Sequence, residues 1–135
     1  MLTLSDVKDW LKTLQTGEHF YCGKIDSKPE KTIGVYQRKP SGQLRMTLGG
    51  LENTSYEVKQ ISVLVHWNQY ASQTEEAAVS LFEKIRQAGE SSLMVGDTQV
   101  YFIRMEVPEP IDVGTDENGV YERVIWFDMI YERSR

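Results

Sequence analysis

Cysteine is almost missing from the 135-residue chain: Cys22 stands alone. One thiol cannot close an internal disulfide, so a disulfide-stapled scaffold is excluded, and a reducing cytoplasm is the expected setting. Long apolar runs are missing too. Stretches such as Val63-Leu64-Val65 and Val124-Ile125-Trp126-Phe127 last a few residues, whereas a membrane span needs about 20. The opening Met1-Leu2-Thr3-Leu4-Ser5-Asp6-Val7-Lys8 has no basic start followed by an apolar block, so no signal peptide is expected. Basic residues are scarce in the second half. Residues 1–70 carry nine Lys/Arg against seven Asp/Glu, and residues 71–135 carry six against thirteen. Positions 106–122 hold Glu106, Glu109, Asp112, Asp116, Glu117 and Glu122 with no Lys or Arg. Broad or sequence-specific nucleic-acid binding needs a basic footprint, and this charge pattern argues against it. The acidic stretch reads as a solvated loop, or as a surface that meets a basic partner or repels DNA.

What is present is an ordinary folded chain. Hydrophobic residues make up 40% and charged residues 26%, a balance that wholly disordered chains lack. The length favours one domain over 1–135, since two cores would be starved of residues.

Apolar spacing predicts the elements. Leu4, Val7, Leu11 and Leu14 form a stripe that predicts a helix over 4–15, capped by Thr3 or Ser5 and stopped by Gly17. Trp10 sits beside the stripe, either at the core edge or as an exposed contact. Short strands are expected over 18–26, 31–38 and, with alternating Leu44, Met46 and Leu48, 43–48. Lys39-Pro40-Ser41-Gly42 and Gly49-Gly50 read as turns. In 56–67, Ile61, Val63, Val65 and Trp67 share one face, while Val58, Gln60, Ser62, Leu64 and His66 make a more mixed one. Ser72-Gln73-Thr74-Glu75 fits a capping box. It precedes a helix over 73–88 whose apolar face is Ala78, Leu81, Phe82 and Ile85, ended by Gly89. A strand over 98–107 turns Tyr101, Ile103, Met105 and Val107 one way, and Pro108 and Pro110 end it. Residues 108–119 read as a long loop that closes in an Asn118-Gly119 turn. The final strand, 120–133, puts Ile125, Phe127, Met129 and Tyr131 in the core and Glu122, Val124, Trp126 and Asp128 outside. The order α-β-β-(β)-β-α-β-β predicts an α+β fold, a mainly antiparallel sheet packed by two helices on one face. Val124 and Trp126, apolar yet outward, call for a cover, either a helix or another chain.

Catalytic motifs do not emerge. His19 and Cys22 fall at i and i+3, on opposite faces of a strand, so they cannot share a metal. No phosphate-binding, dinucleotide-binding, zinc-protease or nucleophile-elbow motif occurs. A Cys22/His66 nucleophile pair is conceivable, but a lone cysteine is usually inert. No catalytic residue, metal or cofactor is expected.

Two segments carry a resemblance. One runs Gln60-Ile-Ser-Val-Leu-Val-His-Trp67, through Asn-Gln-Tyr-Ala-Ser, into Thr74-Glu-Glu-Ala-Ala-Val-Ser-Leu-Phe-Glu-Lys-Ile85. The other is Val113-Gly-Thr-Asp-Glu-Asn-Gly-Val-Tyr-Glu-Arg-Val-Ile-Trp-Phe-Asp-Met-Ile-Tyr131. Together with the entry Lys24-Ile-Asp-Ser-Lys-Pro-Glu-Lys-Thr-Ile-Gly-Val-Tyr36, they resemble the tail terminator proteins of long-tailed bacteriophages, including minor capsid proteins of phages of Gram-positive hosts. The resemblance implies a virion protein, assembled in the host cytoplasm, that caps the tail tube as a ring, usually hexameric. Such a ring halts tube polymerisation and offers a joining surface to the head connector or neck; the free chain can be a monomer. The implied partners are the tail tube protein, a connector or neck protein and further copies of the chain, with no membrane. Candidate interface residues are then Trp10, Val124 and Trp126. Asp112, Asp116 and Glu117 are candidates for facing a lumen or a partner. The competing readings are a head-completion or connector subunit, and a small cytoplasmic enzyme or ligand-binding domain using Cys22 or His66.

Overall fold

A computed structural model describes residues 2–23, 29–38 and 56–133. Among them are two helices, α1 (Leu4–Lys12) and α2 (Ala71–Ala88), and seven strands. The strands are β1 (His19–Cys22), β2 (Thr32–Gln37), β3 (Tyr56–His66), β4 (Leu93–Val95), β5 (Thr98–Met105), β6 (Ile111–Thr115) and β7 (Tyr121–Glu132). The fold is α+β, and the expected element order holds. The strand expected over 43–48, the turns at 39–42 and 49–50, and most of the loop after Cys22 lie outside the described residues.

The strands join in one sheet of order β1-β2-β3-β7-β5-β4. All pairings are antiparallel except β1 with β2. The long β7 is the hub. One edge pairs with β3 from Glu122 to Glu132; the other is shared, β6 taking its first residues and β5 its later ones. Register fixes the faces. Val35 aligns with Val63, and Val63 with Ile125; Ile61 aligns with Phe127. These side chains and Met129 are buried against Val7 and Leu11 of α1 and Ala78, Leu81, Phe82 and Ile85 of α2. Burying each large aliphatic or aromatic side chain contributes roughly 1.5–3 kcal/mol. Both helices thus cover one face. Helix α1 touches β1 and β2 at one end of the strand order and β4 at the other, so the sheet curls around the helix layer. The Lys84 ammonium donates to the Leu14 carbonyl at 2.8 Å and ties α2 to the chain leaving α1. No described helix is long and apolar enough to cross a membrane.

Several local expectations are corrected. Thr3 does cap α1, in a reciprocal box with Asp6, but the helix ends at Lys12; Gln15 takes a left-handed conformation before Gly17. The Ser72 capping box is not formed. Helix α2 starts earlier, with Tyr70 at the cap position and no side-chain cap. Asn68 does that work from outside, its Oδ1 accepting the Tyr70 N–H at 3.0 Å and its Nδ2 donating to Gln73 at 2.7 Å. Residues 108–119 are not all loop, because β6 lies within them. Leu93–Val95 forms a strand that apolar alternation did not reveal, paired to β5 across the Gly96-Asp97 turn. A register shift between Val100 and Phe102 turns Tyr101 outward, against the expectation that it shares the core face with Ile103. A bulge adds one residue to its strand and so reverses the alternation of faces across it.

Candidate functional site

The face of the sheet opposite the helices is the chain's most distinctive surface. On β7 the residues Glu122, Val124, Trp126, Asp128 and Ile130 alternate onto it. Register adds Tyr36, Ser62, Leu64 and Gln60 from β2 and β3, and Phe102 and Arg104 from β5. At one end Tyr56, Val58, Tyr101, Phe102, Arg104 and Ile130 line an open groove of about 380 Å³. Val58 is 46% exposed and Phe102 45%. Among the described residues, Arg104 is the groove's one charged liner.

Beside the groove lies a charged node. Asp128, read as outward, does lie on this face but is only 1% exposed, because two arginines close over it, Arg104 from its register position on the neighbouring β5 and Arg38 from just beyond β2. Arg38 and Arg104 each donate to it at 2.8 Å, through Oδ1 and Oδ2. Glu106 approaches Arg104 at 3.2 Å and Arg38 at 3.7 Å. The hydrogen bond to Asp128 pushes the Arg104 pKa above its ordinary value, against the opposing effect of burial. The Arg38 guanidinium also sits 5.8 Å from the centre of the Trp126 ring, in cation–π range.

At the other end, His66 is fully buried and shares a 2.8 Å hydrogen bond with Glu122, with Asp116 3.8 Å from its other nitrogen. Burial and then the Glu122 charge raise the neighbouring Tyr36 pKa. Asp116 is not the surface carboxylate expected. Its side chain is 5% exposed, and Oδ1 accepts the N–H groups of Asn118 and Val120 at 2.9 and 3.0 Å, building the β6–β7 turn from inside. Gly119, at φ +78, completes that turn where a side chain is disfavoured.

The remaining candidates scatter. Trp126 is 38% exposed on the bare face, whereas Val124 is half-buried there, aligned between Leu64 and Ile111. Trp10 is on the helix side, half-buried against the core. Asp112 and Glu117 are exposed on the β6–β7 hairpin. Sequence reasoning missed Arg38, Arg104, Val58 and Phe102. The signal for the first two was an aspartate inside an apolar strand, which asks for buried cations. The Cys22/His66 pair is not assembled: Cys22 aligns with Val35 and His66 with Thr32, so they project from opposite faces. Among the described residues no group of three His, Cys, Asp or Glu is placed to hold a metal.

Tyr131 gives this scaffold an alkaline weak point. Its hydroxyl donates to Glu57 at 2.9 Å, and burial together with that bond pushes its pKa up to about 12. The folded value lies above the ordinary 10.0. The stabilisation is therefore complete below pH 10 and is lost as pH rises towards 12. Tyrosinate absorbance during alkaline titration is expected to show a late-titrating tyrosine that Tyr131→Phe removes, with shallower loss of stability over that window.

These features define a two-layer α+β protein with one sheet face that no described element covers, apolar at one end and charged in the middle, and with no assembled catalytic constellation among the described residues. A family model for bacteriophage tail terminator proteins matches residues 7–133. The chain belongs to that family, a family of structural proteins of the phage tail and hence of the virion. A search of curated proteins finds no match.

Proposed function

We propose that the chain caps the finished tail tube as a ring of identical copies, hexameric on the tail and monomeric when free. The ring halts polymerisation of the tube protein and offers its other rim to the head connector or neck protein, with assembly in the host cytoplasm. The observation that supports this reading is the open sheet face. A monomer rarely leaves Trp126, Val58, Tyr101 and Phe102 together at its surface, and such a patch marks a protein contact. Trp126, stacked with Arg38, is the anchor of the interface; Val124 is its half-buried floor, and Trp10 contributes only from the helix side. Asp112 and Glu117 face the lumen, where like charge keeps passing DNA from sticking; Asp116 serves by shaping their hairpin.

The test mixes the chain with polymerising tail tube protein and measures tube lengths by electron microscopy. Tubes are expected to stop growing and to carry a cap of density at one end. Unchanged lengths without caps would overturn the reading.

A further inference from the structure

We infer that His66 is a proton-operated latch on the β6–β7 hairpin. As imidazolium it grips Glu122 of β7 and Asp116 of the turn together; as neutral imidazole it holds Glu122 and lets Asp116 go. The device belongs to the single chain and stands or falls apart from the ring.

The two ring nitrogens carry the chemistry. Nδ1 lies 2.8 Å from Oε2 of Glu122. An ionised carboxylate only accepts, so Nδ1 holds a proton. Nε2 is buried with no hydrogen-bond partner among the described residues, and Oδ2 of Asp116 stands 3.8 Å from it. In the neutral ring Nε2 is a bare lone pair and cannot bond a carboxylate oxygen. A proton taken up from solvent goes to Nε2 and makes it a donor. Charge-assisted bonds of that kind are about 2.7–2.9 Å long, so Asp116 closes in by about 1 Å to make one.

Asp116 passes the movement on. Its Oδ1 accepts the N–H groups of Asn118 and Val120. Its own N–H donates to the Val120 carbonyl at 3.0 Å, and its carbonyl accepts the Gly119 N–H at 3.1 Å. The turn over 116–120 therefore travels with that carboxylate. Among the described strands β6 pairs only with β7, so no second strand pins the hairpin. The other groups around the latch leave the switching to the histidine. Its register partner on β2, Thr32, carries no charge, and Lys31 beside it pairs with Glu18. Burial and then Glu122 push the Tyr36 pKa up, away from neutrality. Arg123, the next residue of β7, points to the other face and reaches Asp112 and Glu75. Of these side-chain types only histidine ordinarily changes charge between about pH 5 and 8.

Hydrogen exchange of the full chain tests the latch. Amide protection is measured at about pH 5.5 and about pH 8 and corrected for the intrinsic pH dependence of exchange. The amides of Asn118, Gly119 and Val120 are expected to lose protection about tenfold at the higher pH, the scale of one hydrogen bond to a charged group. Those of the buried Ile61 and Phe127 should hold theirs. Asp116→Asn keeps an acceptor for the turn and removes the charge facing Nε2, so the pH dependence should vanish. His66→Gln should do the same, and His19→Gln, at an exposed position of β1, should leave it intact. Imidazole nitrogen NMR shifts of the unmodified chain read the proton itself: on Nδ1 alone at the higher pH, on both nitrogens at the lower. Equal turn protection at the two pH values would overturn the latch. So would a neutral ring with its proton on Nε2, or an undiminished response in folded Asp116→Asn. Should neither variant fold, the exchange and NMR results on the unmodified chain decide.

Discussion

Replacing Asp128 by alanine is expected to remove about 3–5 kcal/mol of folding stability. Asp128 is buried, and both its oxygens accept from arginines at 2.8 Å. The two arginines are unequal. The side chain of Arg38 is 14% exposed and that of Arg104 57%. Without the carboxylate, Arg104 can swing into water, whereas Arg38 keeps a mostly buried positive charge with, among the described residues, only Glu106 nearby at 3.7 Å. Most of the loss therefore falls on Arg38. Arg104→Ala should cost about 1 kcal/mol or less, as for exposed ion pairs. Asp128→Asn, which keeps one acceptor and loses the charge, should fall between the two. Denaturant unfolding checks the series. Midpoints are expected to fall in the order Arg104→Ala, Asp128→Asn, Asp128→Ala at an unchanged slope. Equal losses for Arg104→Ala and Asp128→Ala would show that the node acts through Arg104 instead.

That node also shows where sequence reasoning stops. Alternation is a local property, and it correctly assigned the faces of β3 and β7: Ile61, Val63 and Val65 are buried, as are Ile125, Phe127 and Met129. Helical spacing likewise located α2 through Ala78, Leu81, Phe82 and Ile85. Alternation also put Asp128 on the correct face. It could not reveal that Arg38, ninety positions away, would cover it. The other misses share this cause or a backbone irregularity. The Val100–Phe102 bulge reverses Tyr101, and β6 starts directly after two prolines and carries the Asp112–Gly114 irregularity within it. Asn68 replaces Ser72 at the helix start because its side chain reaches both Tyr70 and Gln73 from the preceding turn. Trp126 as an exposed aromatic was legible because an apolar residue at an outward position is anomalous by itself. The groove beside it was not, since it needs β3, β5 and β7 in register.

Gly89→Ala is expected to destabilise the fold by about 1–3 kcal/mol, the usual cost of overpacking, although a conformational argument gives the opposite sign. Gly89 caps the end of α2 at φ −83 and ψ 0, a conformation open to alanine. Restricting the unfolded chain there should stabilise by about 0.4–1 kcal/mol. Space decides against it. A methyl group at position 89 would lie 2.3 Å from Cβ of Ile103 and 3.1 Å from its Cα. The two backbones cannot separate freely, because the Ile103 N–H donates to the Gly89 carbonyl at 3.0 Å and fixes the end of α2 against β5. The glycine is thus present for close approach, and its left-handed freedom is unused. Trimming Ile103 to alanine leaves its Cβ in place, so the double variant Gly89→Ala/Ile103→Ala should show little rescue. Thermal or denaturant unfolding of the two single variants and the double variant measures this directly. A stabilised Gly89→Ala, or full rescue by Ile103→Ala, would mean that α2 and β5 can part without cost.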